Sequence, residues 1–147
     1  MLGASWTDED LVEEYPLGNG QRGIRARTHI PANTIIGAYG GEVRLYKVVD
    51  GRIADPDAAS QVIQIAVAGS TVLGLVTPGG ARFYGIDFIN HDCRSPTVIV
   101  ENQIVLKTAR DVAAGEPLTA DYRTWDYVPY GIPGQPNCWC DPPQCVI

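Results

Sequence analysis

The chain has 147 residues, 45% of them apolar and 19% charged, and carries a formal net charge of −6. That length permits one domain with a real hydrophobic core, and the composition excludes a disordered polymer. The negative balance argues against non-specific attachment to nucleic acid, whose phosphates it would repel, and is compatible with a lysine- and arginine-rich protein partner.

The opening MLGASWTDEDLVEE is acidic where a secretory signal would carry positive charge and an apolar run. The longest apolar stretch, VIQIAVAGSTVLGLV, is interrupted and too short to span a bilayer. An intracellular, reducing compartment is therefore expected. Thr7 to Glu14 offers a capping threonine and first-turn acids, which predicts one short helix. After it the chain reads as short strands divided by turn residues. Runs at 34–39 and 42–46 flank a Gly40-Gly41 turn, and runs at 62–67 and 71–76 are joined by Ala68-Gly69-Ser70. Runs at 97–100 and 104–107 meet at Glu101-Asn102-Gln103, where asparagine tolerates a left-handed backbone. Turn signals at this spacing predict a mostly-β fold of several small sheets.

Two segments are alike, ARTHIPANTII at 26–36 and ARDVAAGEPL at 109–118. Each leaves a strand, places an apolar residue (Ile30, Val112), bends at a turn former (Asn33, Gly115) and enters another strand. Their shortness predicts two equivalent bends rather than a repeat architecture. From Val128 onward the chain is rich in proline and glycine, with little backbone regularity, and needs a staple to stay folded.

The cysteines are candidates for that staple. Cys138, Cys140 and Cys145 fall within eight positions near the C-terminal end, and the fourth, Cys93, stands alone mid-chain. Spacing of i, i+2 is awkward for a disulfide, whereas three converging thiolates suit a tetrahedral zinc ion that needs one more ligand. A reducing compartment favours metal; reduced or disulfide-linked thiols without metal are the alternative.

The segments FINHDCRSP (88–96) and GEPLTADY (115–122) precede that cysteine tail, and GQRGIRA (20–26) and YGGEV (39–43) lie upstream. In this order they resemble the SET-domain protein lysine methyltransferases, over about residues 17–147, with 47–83 matched only as generic strands. The resemblance implies a β-clip type SET fold of several small sheets with a knot-like C-terminal threading. It implies a lead-in at 1–16, a SET domain at 17–127 and a post-SET zinc tail at 128–147. Cys93, Cys138, Cys140 and Cys145 would together hold one structural zinc, a closed sphere without an open catalytic position. The implied activity is S-adenosylmethionine-dependent N-methylation of lysine in histone tails or other basic protein segments. A nuclear location would follow in a eukaryote, with no direct binding to nucleic acid or membrane.

Methyl transfer to lysine needs a neutral amine in line with the sulfonium methyl. A free lysine titrates near 10.4, so removing its proton at pH 7 costs about 4–5 kcal/mol. An apolar aromatic channel recovers part of this by disfavouring the ammonium, and alignment supplies much of the remaining rate. By resemblance Tyr122 is the catalytic tyrosine and Tyr39 lines the lysine channel; the bare pattern equally permits two strand-packing tyrosines. Asn90 would hold the methionine end of the cofactor and His91 the adenine side, with backbone of Gln21-Arg22-Gly23 against it. Trp139 or Trp125 would stack on the adenine, or else shield zinc or core.

Several positions depart from the family pattern. Gln21 replaces the first glycine of the cofactor loop, Asp87 stands where arginine is usual, and Thr97 breaks the usual continuation after Asn-His-x-Cys. No tyrosine occurs between 47 and 83, so Tyr46 or Tyr84 would have to stand in. Ala120, where many members carry phenylalanine or tyrosine, predicts room for a second and third methyl group. These departures motivate an alternative: a SET-fold module that binds a peptide or cofactor without turnover. A small zinc-stabilised β domain serving a partner interface is a further one.

Overall fold

A computed structural model describes residues 5–18, 20–54, 62–76, 84–92 and 94–121. As expected, they are mostly β. In chain order the strands are β1 (Trp6–Thr7), β2 (Val12–Gly18), β3 (Gln21–Ala26), β4 (Ile35–Ala38), β5 (Glu42–Val49) and β6 (Arg52–Ile53). They continue as β7 (Val62–Ala68), β8 (Thr71–Val76), β9 (Asn90–His91), β10 (Val98–Glu101), β11 (Val105–Thr108) and β12 (Pro117–Ala120). A 3-10 turn spans Gly85–Phe88, just ahead of β9.

Among the described residues the strands form two sheets. The larger runs β1-β4-β11-β10-β12-β3-β2, with β9 attached to β12; the smaller runs β6-β5-β8-β7. Two of the predicted hairpins form. Strands β7 and β8 turn at Gly69, whose φ is +58°. Strands β10 and β11 turn through Asn102 and Gln103, both left-handed at φ +50° and +64°. Such a pair of residues matches the twist of the flanking strands.

The predicted helix at Thr7–Glu14 does not form. The Asp8 carbonyl accepts the N–H groups of Leu11 and Val12 at 3.1 and 3.0 Å, and its carboxylate accepts that of Asp10 at 3.1 Å. This makes one turn, after which the chain enters β2. An isolated helix this short is marginal, whereas the ladder with β3 buries Val12 to 2% exposure and satisfies the backbone.

Gly40-Gly41 does not close a hairpin either. β4 pairs with β1 and β11, whereas β5 pairs with β8 and β6, so the two glycines carry the chain from one sheet to the other. Fully buried Ile36 holds β4 in the large core, while Tyr46 draws β5 into the smaller one with Ile53, Val72 and Val76.

The two alike segments pair with each other. Ile30 and Val112 form an isolated bridge, exchanging N–H to carbonyl bonds of 2.9 and 2.8 Å. Around them the bonding is two-fold. Asn33 donates to the Thr108 carbonyl at 2.9 Å, and its counterpart Gly115 donates to the Ala26 carbonyl at 2.7 Å. Ala26 donates to Glu116 and Thr108 to Thr34, each at 2.9 Å. Asn33 and Gly115 are both left-handed, at φ +62° and +83°. The same relation exchanges the β3–β12 and β11–β4 pairs. The likeness in sequence thus reflects two halves of one symmetric junction between the β3–β12 and β4–β11 pairs. Among the described residues no helix is long and apolar enough to cross a membrane.

Candidate functional site

Strand β12 gathers the site. It pairs antiparallel with β3 and parallel with both β10 and β9, in registers Thr119↔Asn90 and Ala120↔His91. The Asp92 N–H then donates to the Ala120 carbonyl at 3.1 Å. The Asn-His pair therefore lies beside the end of the strand that leads into Asp121 and position 122. Fully buried Leu118 and Ala120 anchor β12 in the core.

The loop expected to meet the cofactor begins β3. Gln21 and Arg22 are exposed and Gly23 is buried. Asn90 Nδ2 donates to the Arg22 carbonyl at 3.5 Å, joining segments 68 positions apart. Gly23 is tightly packed: a Cβ there would lie 2.8 Å from Asn90 Nδ2, the tip of a side chain, and 3.1 Å from the Tyr15 ring. The structure thus brings Arg22, Gly23, Asn90 and His91 together around β12, with backbone amides, a carbonyl, a side-chain amide and an imidazole as polar groups.

Tyr39 is buried, and its hydroxyl donates to the Ile86 carbonyl at 3.4 Å. It packs in the main core behind the 3-10 turn. Of the tyrosines considered as substitutes, Tyr46 is buried in the smaller core and Tyr84 is exposed ahead of the turn. Tyr122, Trp125, Trp139, Cys93, Cys138, Cys140 and Cys145 lie outside the described residues, as does the expected tail threading. Among the described residues, no cluster of three or more His, Cys, Asp or Glu side chains is placed to hold a metal ion.

Gly85 starts the 3-10 turn at φ +53°, a conformation side chains resist, and its Cβ position is taken by Thr7 Oγ1 at 2.1 Å. That hydroxyl oxygen accepts the Ile86 N–H at 2.9 Å, so β1 locks the turn. Asp87 accepts from Ser5 Oγ at 2.8 Å and from the Tyr84 N–H at 2.9 Å. Burial pushes its carboxyl above the ordinary value of 3.8; the Ser5 bond opposes this and the nearby Glu14 charge reinforces it. A raised acid binds its proton more tightly folded than unfolded. Its stabilising contribution is therefore complete below about pH 3.8 and declines as pH rises through the folded value. Asp87→Asn is expected to flatten that segment of the stability profile, measured as melting temperature between about pH 3 and pH 7.

Sequence reasoning missed Glu14, which a helix at 7–14 would have kept out of the ladder with β3, and Tyr15, the next residue of β2. The available signal was the Asn-Gly within LGNGQRG. Gly18 and Gly20, at φ +90° and +74°, bracket the β2–β3 turn and set Tyr15 opposite Gly23.

A family model described as "SET domain" matches residues 21–123. Two proteins named histone-lysine N-methyltransferase, H3 lysine-36 specific, from two strains of Cryptococcus neoformans var. neoformans serotype D, are similar to this chain. Each is 30% identical over 133 residues, covering 84% of this chain and 15% of the relative. The chain thus spans about 15% of the length of the curated relatives it matches.

Proposed function

The chain belongs to the SET-domain family of protein-lysine methyltransferases, and from that premise we propose that it transfers methyl groups from S-adenosylmethionine to lysine in histone tails or other basic protein segments. One observation carries this reading: Asn90 and His91 run parallel beside Thr119 and Ala120, with Asn90 reaching the Arg22 carbonyl, immediately ahead of the Asp121-Tyr122 pair. The relatives named for histone H3 methylation and the net charge of −6 support a basic substrate; a nuclear location would accompany it.

The groups present suit the cofactor. It presents an ammonium, a carboxylate, a ribose and an adenine, and the missing side chain at Gly23 lets the cofactor loop pack directly against the Asn90 amide. Asn90 would hold the methionine end, His91 the adenine, and Gln21 to Gly23 would offer backbone polar groups. When bound, S-adenosylmethionine supplies the electrophilic methyl. The chain's own residues would orient the amine and exclude water: Tyr122 by its hydroxyl, Tyr39 as a wall, with Trp139 covering the adenine. No nucleophilic side chain is required, since the lysine amine itself attacks.

Cys93, Cys138, Cys140 and Cys145 would bind a structural zinc that staples the 128–147 tail beside the core. Four thiolates match that ion's chemistry. Purified protein is expected to carry stoichiometric zinc by elemental analysis, and chelation to abolish methyl transfer. Metal-free protein with full activity would remove the staple.

The decisive test pairs wild type with Tyr122→Phe, each incubated with labelled S-adenosylmethionine and mixed histones. Label should enter histone with the wild type and fall by at least about 100-fold with the variant, as expected when a reacting group loses its alignment. Equal labelling by both would take Tyr122 out of its role. No labelling by a wild type that binds cofactor tightly would favour a binding module.

A further inference from the structure

Resting on that reading, we propose that Glu14, upstream of the region matching the family model, is a positioning residue that sets the width of the cofactor site. The site has two walls from distant parts of the chain, the start of β3 and the Asn90-His91 strand. Their direct link is the Asn90 to Arg22 carbonyl bond, at 3.5 Å the limit of a useful hydrogen bond. Glu14 adds a charged bridge. Its Oε1 accepts Arg22 Nε at 3.1 Å, and its Oε2 accepts the Gly85 N–H at 3.4 Å. One carboxylate therefore ties the cofactor loop to the first residue of the turn that delivers Asn90.

The neighbouring chemistry reinforces the clasp. The Arg22 guanidinium lies over the Phe88 ring at 5.8 Å, at the other end of the same turn. Arg22 thus contacts the turn from both sides, through Glu14 and through Phe88. The Glu14 side chain is 26% exposed, so its charge is only partly screened by water. Strand pairing gives it the required place: Glu14 opposes Ile24 and Pro16 opposes Arg22, which makes Glu14 and Arg22 diagonal neighbours across the β2–β3 ladder.

Glu13 provides an internal control. It is equally acidic and lies one position away, yet it pairs with Arg25 and Arg27 on the hairpin, at 2.9 and 3.7 Å. A general effect of charge or hairpin stability would appear in both variants. A clasp between the walls would appear only at Glu14.

The experiment is calorimetric titration of the full chain with S-adenosylmethionine, for wild type, Glu14→Ala, Glu14→Gln and Glu13→Ala. Glu14→Ala is expected to raise the cofactor Kd about tenfold, the size of a lost charge-assisted hydrogen bond. Glu14→Gln keeps a carbonyl acceptor at nearly the same volume and should recover part of that loss. Glu13→Ala should leave Kd unchanged. At saturating cofactor, kcat of both Glu14 variants should return to the wild-type value, leaving the effect in KM. Equal Kd values for Glu14→Ala and wild type, or equal losses for Glu14→Ala and Glu13→Ala, would overturn the clasp while leaving the methyltransferase reading intact. A wild type that does not bind S-adenosylmethionine would overturn both.

Discussion

Gly23→Ala is expected to leave the protein folded and to weaken S-adenosylmethionine binding by about tenfold to 100-fold. The backbone at Gly23 is not left-handed, so alanine meets no conformational barrier there. Its Cβ, however, would lie 2.8 Å from Asn90 Nδ2 and 3.1 and 3.3 Å from Tyr15 ring atoms. The nearest of these is the tip of a side chain and can swing away. The strain of moving it is offset by the roughly 0.5–1 kcal/mol that alanine gains over glycine in a strand. Net stability should therefore change by less than about 1 kcal/mol. Function has no such offset, because the displaced group is the amide proposed to hold the cofactor. Calorimetry beside a thermal melt separates the two. Unchanged affinity would mean that Asn90 and the Gly23 backbone do not share a ligand.

Gly85→Ala should produce the largest loss of stability. A non-glycine residue at φ +53° costs about 1–2 kcal/mol. The new Cβ would also fall 2.1 Å from Thr7 Oγ1 and 2.7 Å from Thr7 Cβ, deep between β1 and the turn. Moving that threonine breaks its bond from the Ile86 N–H, and an unsatisfied buried donor costs a further 1–3 kcal/mol or so. A combined loss of about 2–5 kcal/mol is a large share of the stability of a domain this size. Urea unfolding should show the midpoint falling steeply or the native baseline vanishing. A loss below about 1 kcal/mol would mean the turn can shift away from β1 without penalty.

The elements read correctly from the residues are those whose instructions lie close together. Gly69 and Asn102 each sit inside the hairpin they close, between apolar runs that pair directly with each other. The likeness between 26–36 and 109–118 was visible as letters, yet its meaning was not. That Ile30 bonds Val112 depends on two segments meeting across the whole chain. The stretch 7–14 misled because capping threonine and early acids favour a helix locally, while β3 offers Val12 a buried ladder that local propensity cannot see. Gly40-Gly41 misled for a related reason. Two glycines allow a sharp change of direction, and which sheet each flanking strand joins is decided by Ile36 and Tyr46 entering different cores.

The order of motifs along the chain was enough to suggest the family, which the family model over residues 21–123 bears out. The convergence of Gly23, Asn90 and Ala120, and the Glu14 carboxylate that braces it, belonged to the tertiary structure alone. Parallel neighbours and side-chain bridges over tens of positions leave no periodicity behind them. They arise only when the backbone's hydrogen bonds and the two cores are satisfied together.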